Sequence, residues 1–305
     1  MRNIRAGVAG AGAMGRNHAR VYALLEHAEL TAVYDADPAR AAAVAAEFGA
    51  RAVASLAELA DTCEVASVAV PTVAHREIGC RLMEAGVHVL MEKPIAPTVD
   101  DAQALVDTAQ RTGRVLQVGH IERFNPVMRE LEKKLSRPRF IEAHRLSPFP
   151  NRSIDIGVVL DVMIHDLEII LHLVRSPVTH VDAVGVAVLT PREDIANARL
   201  RFASGCVANV TASRISPERM RKLRVFQEDC YLSLDYMAQA GHIHWREGME
   251  IKRAEVAVEP DEPLKLELAA FIASVAAGAA PAVSGQQGTA ALELALLITR
   301  QIGCP

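Results

Sequence analysis

The sequence predicts an α/β protein in two parts. Residues 1–120 read as a doubly wound parallel sheet, and residues 121–305 as an α+β domain with a mainly antiparallel sheet. Three observations predict this. The chain opens on an apolar run that ends in three closely spaced glycines. Apolar, strand-like runs then alternate with helical stretches up to about residue 120. Beyond that point strand-like runs follow one another with hairpin-length links. A chain of 305 residues is also long for a single core, so two domains are expected.

The first element is a strand around Ile4, Ala6 and Val8, followed at once by Gly10, Gly12, Ala13, Met14 and Gly15, and then by a helix over Arg16–Leu25. Each glycine has its own reason. Gly10 permits a tight turn, Gly12 lets the backbone approach a pyrophosphate, and Gly15 lets the helix press on the strand. The unpaired N–H groups and positive dipole end of that helix then face the phosphates of a dinucleotide. Leu30–Tyr34 reads as the second strand and Asp35 closes it, twenty positions after Gly15. A carboxylate there accepts ribose hydroxyls and repels a 2′-phosphate, which favours NAD over NADP.

Helices are expected over Pro38–Phe48, Leu56–Ala60, Ala74–Ala85 and Val99–Thr112. Strands are expected over Val65–Val70, Val87–Met91 and Val115–Val118, all apolar enough to be buried on both faces. Ligands of such sheets lie at the carboxyl ends of the strands. Those ends supply the expected cofactor-binding set: Gly10, Gly12, Ala13, Met14, Gly15, Asp35, Pro71, Thr72, His75, Glu92 and Lys93, with His120 close by.

In the second part, helices are expected over Asn125–Leu135 and Gly157–Val174, and a strand over Arg139–Arg145. Strand-like runs follow at Thr179–Leu189, Ala196–Phe202, Val207–Ser213, Leu223–Glu228 and Tyr231–Asp235. Leu264–Ala277 and Thr289–Ile302 close the chain as helices, the last able to pack back on the first domain.

Composition excludes several classes. Half the residues are hydrophobic and 4% aromatic, which suits an aliphatic α/β core. A net charge of −4 argues against nucleic acid as a partner. Cys63, Cys80, Cys206, Cys230 and Cys304 are odd in number without C-x-x-C spacing, as expected of reduced cytoplasmic thiols. The first strand begins almost at Met1, leaving no room for a cleavable signal. Asp161, His165, Asp166, Glu168 and His172 interrupt the most apolar long segment, so it reads as a buried helix and no membrane span is expected. His242 and His244 share a strand face, but no cysteine or carboxylate stands at ligand spacing, so no metal is expected.

Asp161 and His165 stand four apart on the expected helix, one turn apart on one face. A carboxylate beside an imidazole orients it and raises its proton affinity, as a general base requires. Lys93, at a strand end, is suited to hydrogen-bond a reacting oxygen and stabilise developing negative charge. For an isolated Asp–His pair or loop lysine, a buried polar contact and a surface lysine are the plainer readings.

The GAGAMG loop, Glu92-Lys93-Pro94 and Asp161-x-x-x-His165 together resemble the glucose–fructose oxidoreductase/inositol dehydrogenase/rhizopine catabolism family, over essentially the whole chain. The resemblance implies a Rossmann domain and a C-terminal domain with a large, mainly antiparallel open sheet. It also implies NAD(P)-dependent oxidation or reduction of a sugar or polyol, and homo-dimers or homo-tetramers. Lys93, Asp161 and His165 match the family's catalytic positions, and Lys93–Pro94 is a candidate cis bond. Within the family, His120-Ile-Glu-Arg-Phe-Asn-Pro126 and the run Asp155–Glu168 look like the branch that oxidises UDP-N-acetylglucosamine at C3 and feeds an aminotransferase. On that reading Lys93, His120, Arg123, Asn125 and His165 bind substrate. Arg214 and the Arg219–Arg224 stretch are suited to a diphosphate, though a solvated strand edge is the plainer reading. A myo-inositol or glucose-type dehydrogenase is the alternative enzyme, and a non-catalytic NAD(H)-binding redox sensor the non-enzyme alternative.

Overall fold

The computed structural model of the protein describes residues 2–149 and 156–303; Asp155 and Cys304 lie outside them. The chain divides into two compact units, residues 1–121 with 262–289, and residues 122–261 with 290–305. The expectation of an uninterrupted second domain over 121–305 is therefore corrected: residues 262–289 belong to the first unit.

The first unit is built from β1 (Ile4–Ala9), α1 (Ala13–Leu24), β2 (Ala28–Tyr34), α2 (Pro38–Phe48), β3 (Arg51–Ala52), α3 (Leu56–Thr62), β4 (Val65–Val68), α4 (His75–Glu84), β5 (His88–Glu92), α5 (Val99–Thr112) and β6 (Leu116–Gly119). Its six strands are all parallel, in the order β3-β2-β1-β4-β5-β6. That order reverses direction between β1 and β4, which is the arrangement that opens a crevice at the strand ends. Strands β1, β4, β5 and β6 are buried along nearly their full length, as their apolar runs require, while the edge strand β3 is exposed. Local chemistry sets the helix limits. Asp37 caps α2, Ser55 caps α3 and Thr98 caps α5, each through its side-chain oxygen. Gly49 and Gly113 end α2 and α5 in the left-handed conformation.

The second unit holds α6 (Pro126–Lys134), β7 (Phe140–Leu146), α7 (Ile164–Val174), β8 (Val178–Val186), β9 (Ile195–Phe202), β10 (Val207–Ser213), β11 (Met220–Phe226), β12 (Cys230–Asp235), β13 (Ala240–Glu247) and β14 (Glu250–Val256). Its eight strands run β14-β13-β12-β11-β7-β10-β9-β8, antiparallel except for the β10–β7 pair. Alternate residues are buried along β7 and β9, so one face carries the core and the other is more open. Val159, Met163, Ile164, Leu167 and Ile170 pack into that core with Ala143, Leu200 and Val210.

Helix α8 (Pro263–Ala277) then returns to the first unit, where Leu264, Leu268, Phe271 and Ile272 join Ile4, Val21 and Val33 in one cluster. A fully buried Leu or Phe of this kind contributes roughly 1.5–3 kcal/mol relative to exposure. The last helix, α9 (Gly285–Ile302), starts four residues earlier than its apolar period indicates. Gly285 and Gly288 supply no side chain to that period, and their backbones press on Leu116 and Val118. No helix among the described residues is long and apolar enough to cross a membrane.

Candidate active site

The glycine loop joins β1 to α1. Gly10 has φ +99°, and a Cβ on Gly15 would stand 1.6 Å from the Gly10 carbonyl oxygen, so neither position admits a side chain. A Cβ on Gly12 would meet no atom within 4 Å. The loop is thus open on that side, and no side chain caps α1, whose first residues are Ala13, Met14 and Gly15. An uncapped helix start on a glycine backbone fits a pyrophosphate. Asp35 ends β2 beside the loop. Its Oδ2 accepts the Ala11 N–H at 2.6 Å and its Oδ1 the Asp37 N–H at 2.8 Å. A carboxylate has about four acceptor sites, so these bonds hold the loop and leave capacity for ribose hydroxyls.

The exits of β4, β5 and β6 carry the other expected residues. Pro71 is exposed and Thr72 half-buried, in the short turn before α4. His75 lies deeper than a cofactor contact requires. It is 1% exposed, with Nε2 3.0 Å from the Val70 oxygen and Nδ1 3.1 Å from the Pro94 oxygen. His75 therefore ties the β4 exit to the turn after β5. Burial lowers its pKa. Glu92 is likewise turned inward, at 8% exposure, with Oε1 2.9 Å from His18 Nε2. Lys93 follows it, half-buried, and the Lys93–Pro94 bond is cis. His120 is buried just past β6.

In the second unit the expected single helix over 157–174 is two pieces. Val159–Met163 forms a wide π-type turn, closed by the Ile164 N–H on the Val159 oxygen, and α7 follows. Asp161 sits in the wide turn and His165 in the first turn of α7, both half-buried. The start of this turn is held from outside. Glu193 accepts the Val159 N–H on its carboxylate at 3.2 Å and the Val158 N–H on its carbonyl at 2.9 Å. Buried Arg214 donates to Asp194 Oδ1 at 2.9 Å and to the Ile156 oxygen at 2.8 Å. Burial opposes the charge on Asp194, but the N–H groups of Leu189, Val188 and Thr190 and the Arg214 guanidinium outweigh it and hold its carboxyl well below the usual range.

Arg214 is thereby removed from the group suited to a diphosphate. Arg123 is held inward too: its side chain is 8% exposed and donates to Glu168 Oε1 at 2.7 Å. Burial raises the Glu168 pKa more than Arg123 lowers it, to about 7. Asn125 is also inward, capping α6 through Oδ1 and donating to the Tyr236 oxygen at 3.1 Å. The Arg219–Arg224 stretch lies along an interior strand rather than a sheet edge, with Arg221 3.1 Å from Glu122 and Arg224 3.6 Å from Glu142. His242 and His244 do share a face of β13, with His244 stacked on Tyr231 at 4.3 Å. Among the described residues no three side chains are grouped to hold a metal ion.

Two family profiles match the chain. One is described as an oxidoreductase family with an NAD-binding Rossmann fold, over residues 4–120, and the other as a GFO/IDH/MocA C-terminal domain, over residues 131–232. The chain belongs to the Gfo/Idh/MocA family. It is an oxidoreductase, and its first unit is an NAD-binding Rossmann domain. Among the family's members, the UDP-N-acetylglucosamine 3-dehydrogenase of Acidithiobacillus ferrooxidans is 41% identical over 247 residues, 81% of this chain and 78% of the relative. The solved structure of that organism's UDP-N-acetylglucosamine 3-dehydrogenase GnnA aligns with a TM-score of 0.95 and 37% identity, over 99% of this chain and 98% of the other. The myo-inositol dehydrogenase Hyg17 of Streptomyces leeuwenhoekii is 33% identical over 227 residues, 69% of this chain and 70% of the relative. At 20% identity, a levoglucosan dehydrogenase in complex with NADH and levoglucosan shares the fold, with a TM-score of 0.90 over 99% of this chain and 98% of the other.

Sequence reasoning missed the groups around these residues: in the first unit His18, Tyr22 and Ser67 beside Glu92, and in the second the hold of Glu193 and Arg214 on the chain at the wide turn. One signal was present. Ser67 is a hydroxyl in the middle of an apolar strand, and a buried hydroxyl needs partners.

Proposed function

We propose that the protein oxidises the C3 hydroxyl of UDP-N-acetylglucosamine to a ketone with NAD, giving a product suited to an aminotransferase. The family membership makes it an oxidoreductase acting on CH–OH donors. The observation that carries the finer reading is the 41% identity, over most of both chains, to a UDP-N-acetylglucosamine 3-dehydrogenase. Asp35 supports NAD over NADP, because a second anion beside its carboxylate is repelled.

Bound NAD supplies the hydride acceptor. The chain's own residues do the rest. The imidazole of His165 takes the hydroxyl proton as the carbon loses hydride, and Asp161 favours the imidazolium that results. Lys93 donates to the same oxygen and stabilises the negative charge that develops on it. For the diphosphate, the exposed cations of the Arg219–Arg224 stretch are the remaining candidates.

A polyol dehydrogenase is the second reading, favoured by the 33% identity to a myo-inositol dehydrogenase. The test is a panel of UDP-sugars and free polyols with NAD, following NADH absorbance and identifying the ketone by mass. Turnover of UDP-N-acetylglucosamine is expected. Turnover of myo-inositol alone would replace the substrate and keep the dehydrogenase.

The reading includes a cytoplasmic homo-oligomer, on two grounds. The cysteines are odd in number and lack paired spacing. Phe140, Phe226, Tyr231 and His244 form a ladder across β7, β11, β12 and β13, with ring centroids 5.7, 5.1 and 4.3 Å apart. Aromatic surfaces of this kind are enriched at interfaces. Light scattering on the eluted protein checks the oligomer.

A further inference from the structure

Inside the first unit, beneath the glycine loop, four buried side chains form one continuous chain. His18 on α1 is 0% exposed. Its Nδ1 lies 2.8 Å from Ser67 Oγ on β4 and its Nε2 lies 2.9 Å from Glu92 Oε1 at the end of β5. Tyr22, one turn further along α1, brings its hydroxyl within 2.9 Å of the same Ser67 oxygen. The other Glu92 oxygen, Oε2, accepts the Lys93 N–H at 3.3 Å.

The direction of every bond follows from the chemistry of the groups. A carboxylate only accepts, so His18 Nε2 carries the proton that Glu92 receives. In the neutral ring Nδ1 is then an acceptor, so the Ser67 hydroxyl donates to it. The Ser67 oxygen in turn accepts the Tyr22 proton. With the ring in that form, the chain runs one way, Tyr22 to Ser67 to His18 to Glu92. Ser67, His18 and Glu92 have the order of a hydrolytic triad, yet Ser67 is 0% exposed and its oxygen is already engaged by Tyr22. The group holds its neighbours in place and presents no nucleophile.

A second carboxyl lies beside it. Glu267 on α8 is 0% exposed and neither of its oxygens has a hydrogen-bond partner. Burial, with the neighbouring Glu92 charge second, pushes its pKa well above the carboxyl range. Glu92 has the donors of His18 and Lys93, whereas the Glu267 carboxyl has none. β6 leaves little slack at this point, since a Cβ on Gly119 would stand 3.0 Å from Glu92 Oε1.

One end of the chain is therefore the helix that starts at the glycine loop, and the other is the backbone of Lys93. We propose that Glu92 is a positioning residue: it locks the Lys93 backbone to α1, so that Lys93 is held in register with the cofactor loop. The proposal rests on the reading that Lys93 acts on the substrate oxygen.

The test compares Glu92→Ala, Glu92→Gln, Ser67→Ala and Lys93→Met in the full chain, by two readouts. One is steady-state turnover with NAD and UDP-N-acetylglucosamine. The other needs no turnover: amide hydrogen exchange of residues 88–97 in the protein without ligands. Glu92→Ala should lower kcat by about tenfold or more, as expected of a displaced catalytic group, and speed exchange at the Lys93 amide. The KM for NAD should stay within about threefold. Glu92→Gln keeps a carbonyl oxygen for the Lys93 N–H and should recover most of both losses. A merely structural residue would lower the melting temperature without this split or this rescue. Ser67→Ala is milder and breaks the chain two links from Lys93. It should move both readouts the same way by a smaller factor, and it carries the test if Glu92→Ala does not fold. Unchanged exchange at residues 88–97, or an unchanged kcat in Glu92→Ala and Ser67→Ala, overturns the proposal. If Lys93→Met keeps full turnover, the underlying reading of Lys93 fails first and the proposal falls with it. That outcome is separate, because it involves no change at Glu92.

Discussion

In the first unit the buried polar groups are joined mostly by neutral donors, Tyr22, Ser67 and His18 ending on one carboxylate. In the second unit they are joined as ions. Arg145 on β7 is 5% exposed and donates to Asp166 Oδ1 and Oδ2, each at 2.8 Å, and to Glu122 Oε1 at 2.7 Å. Burial opposes the Arg145 charge, but the two carboxylates outweigh it and raise its pKa. Arg145, with Arg221, holds the Glu122 carboxyl low against its own burial. The two solutions fail differently. A chain of neutral groups loses one modest hydrogen bond when a member is removed. An ion network loses its balance, because the partner charge remains buried.

The largest expected effect breaks that contrast from the ionic side. Arg145→Met leaves Asp166 and Glu122 without their shared cation and should destabilise by about 3–5 kcal/mol. Tyr22→Phe, which removes only the head of the neutral chain, should lose about 0.5–1.5 kcal/mol. Denaturant unfolding of both variants checks the pair. Equal losses would mean that charge is not what distinguishes the two units.

Next come the groups that each unit contributes to chemistry. Lys93→Met in the first unit and His165→Ala in the second should each lower kcat by about a hundredfold or more, the scale of a lost oxyanion or acid–base group. NAD affinity, by fluorescence titration, should change far less in His165→Ala than in Gly12→Val. Wild-type turnover in both chemical variants would favour the redox-sensor reading.

The two units also differ in how much the sequence disclosed. Five of the six strands of the parallel sheet were legible because they are largely apolar runs ending in a polar signal, from Gly10 to Lys93; the sixth, β3, is the exposed pair Arg51–Ala52 and gave no such signal. Of the outer strands, β14 was missed and β13 was marked only by the His242-x-His244 pair. Their residues are largely exposed or half-exposed on both faces, so no alternation marks them. The wide turn at Asp161 was hidden because Glu193, which holds it, is 34 positions away. The ion pair of Arg123 was hidden for the same reason, since Glu168 lies 45 positions on. Glu267 could have been found. It stands three residues after Leu264 and one before Leu268, within the buried stripe of its own helix.

Cofactor choice sharpens the comparison within the first unit alone. Asp35→Ser with Ala36→Arg removes a repulsive carboxylate and adds a phosphate partner, so the NAD-to-NADP preference should reverse by about tenfold or more. The structure adds a second consequence. Oδ2 of Asp35 also holds the Ala11 N–H, so the variant should bind both cofactors less tightly overall. Titration with each cofactor separates the two effects. A wild type that prefers NADP would overturn the role given to Asp35.

The smallest effect tests whether the first unit truly keeps its spare carboxyl neutral. Glu267 is raised above its unfolded pKa of about 4.3 by burial first and the Glu92 charge second. A raised acid binds its proton more tightly in the folded state, so its contribution is fully present below the unfolded pKa. As pH rises from about 4.3 towards the folded pKa, the unfolded chain releases the proton and the folded one does not, and stability is lost. The loss is about 1.4 kcal/mol per pH unit within that window. Glu267→Gln carries no such proton and should escape it. Wild type and variant should therefore differ least near pH 4, and the variant should gain on the wild type between pH 5 and 6 by about that amount. Urea unfolding at the two pH values measures the gain. A difference that stays flat across the two would mean that Glu267 is ionised in the folded protein, and that the first unit, like the second, tolerates an additional buried charge.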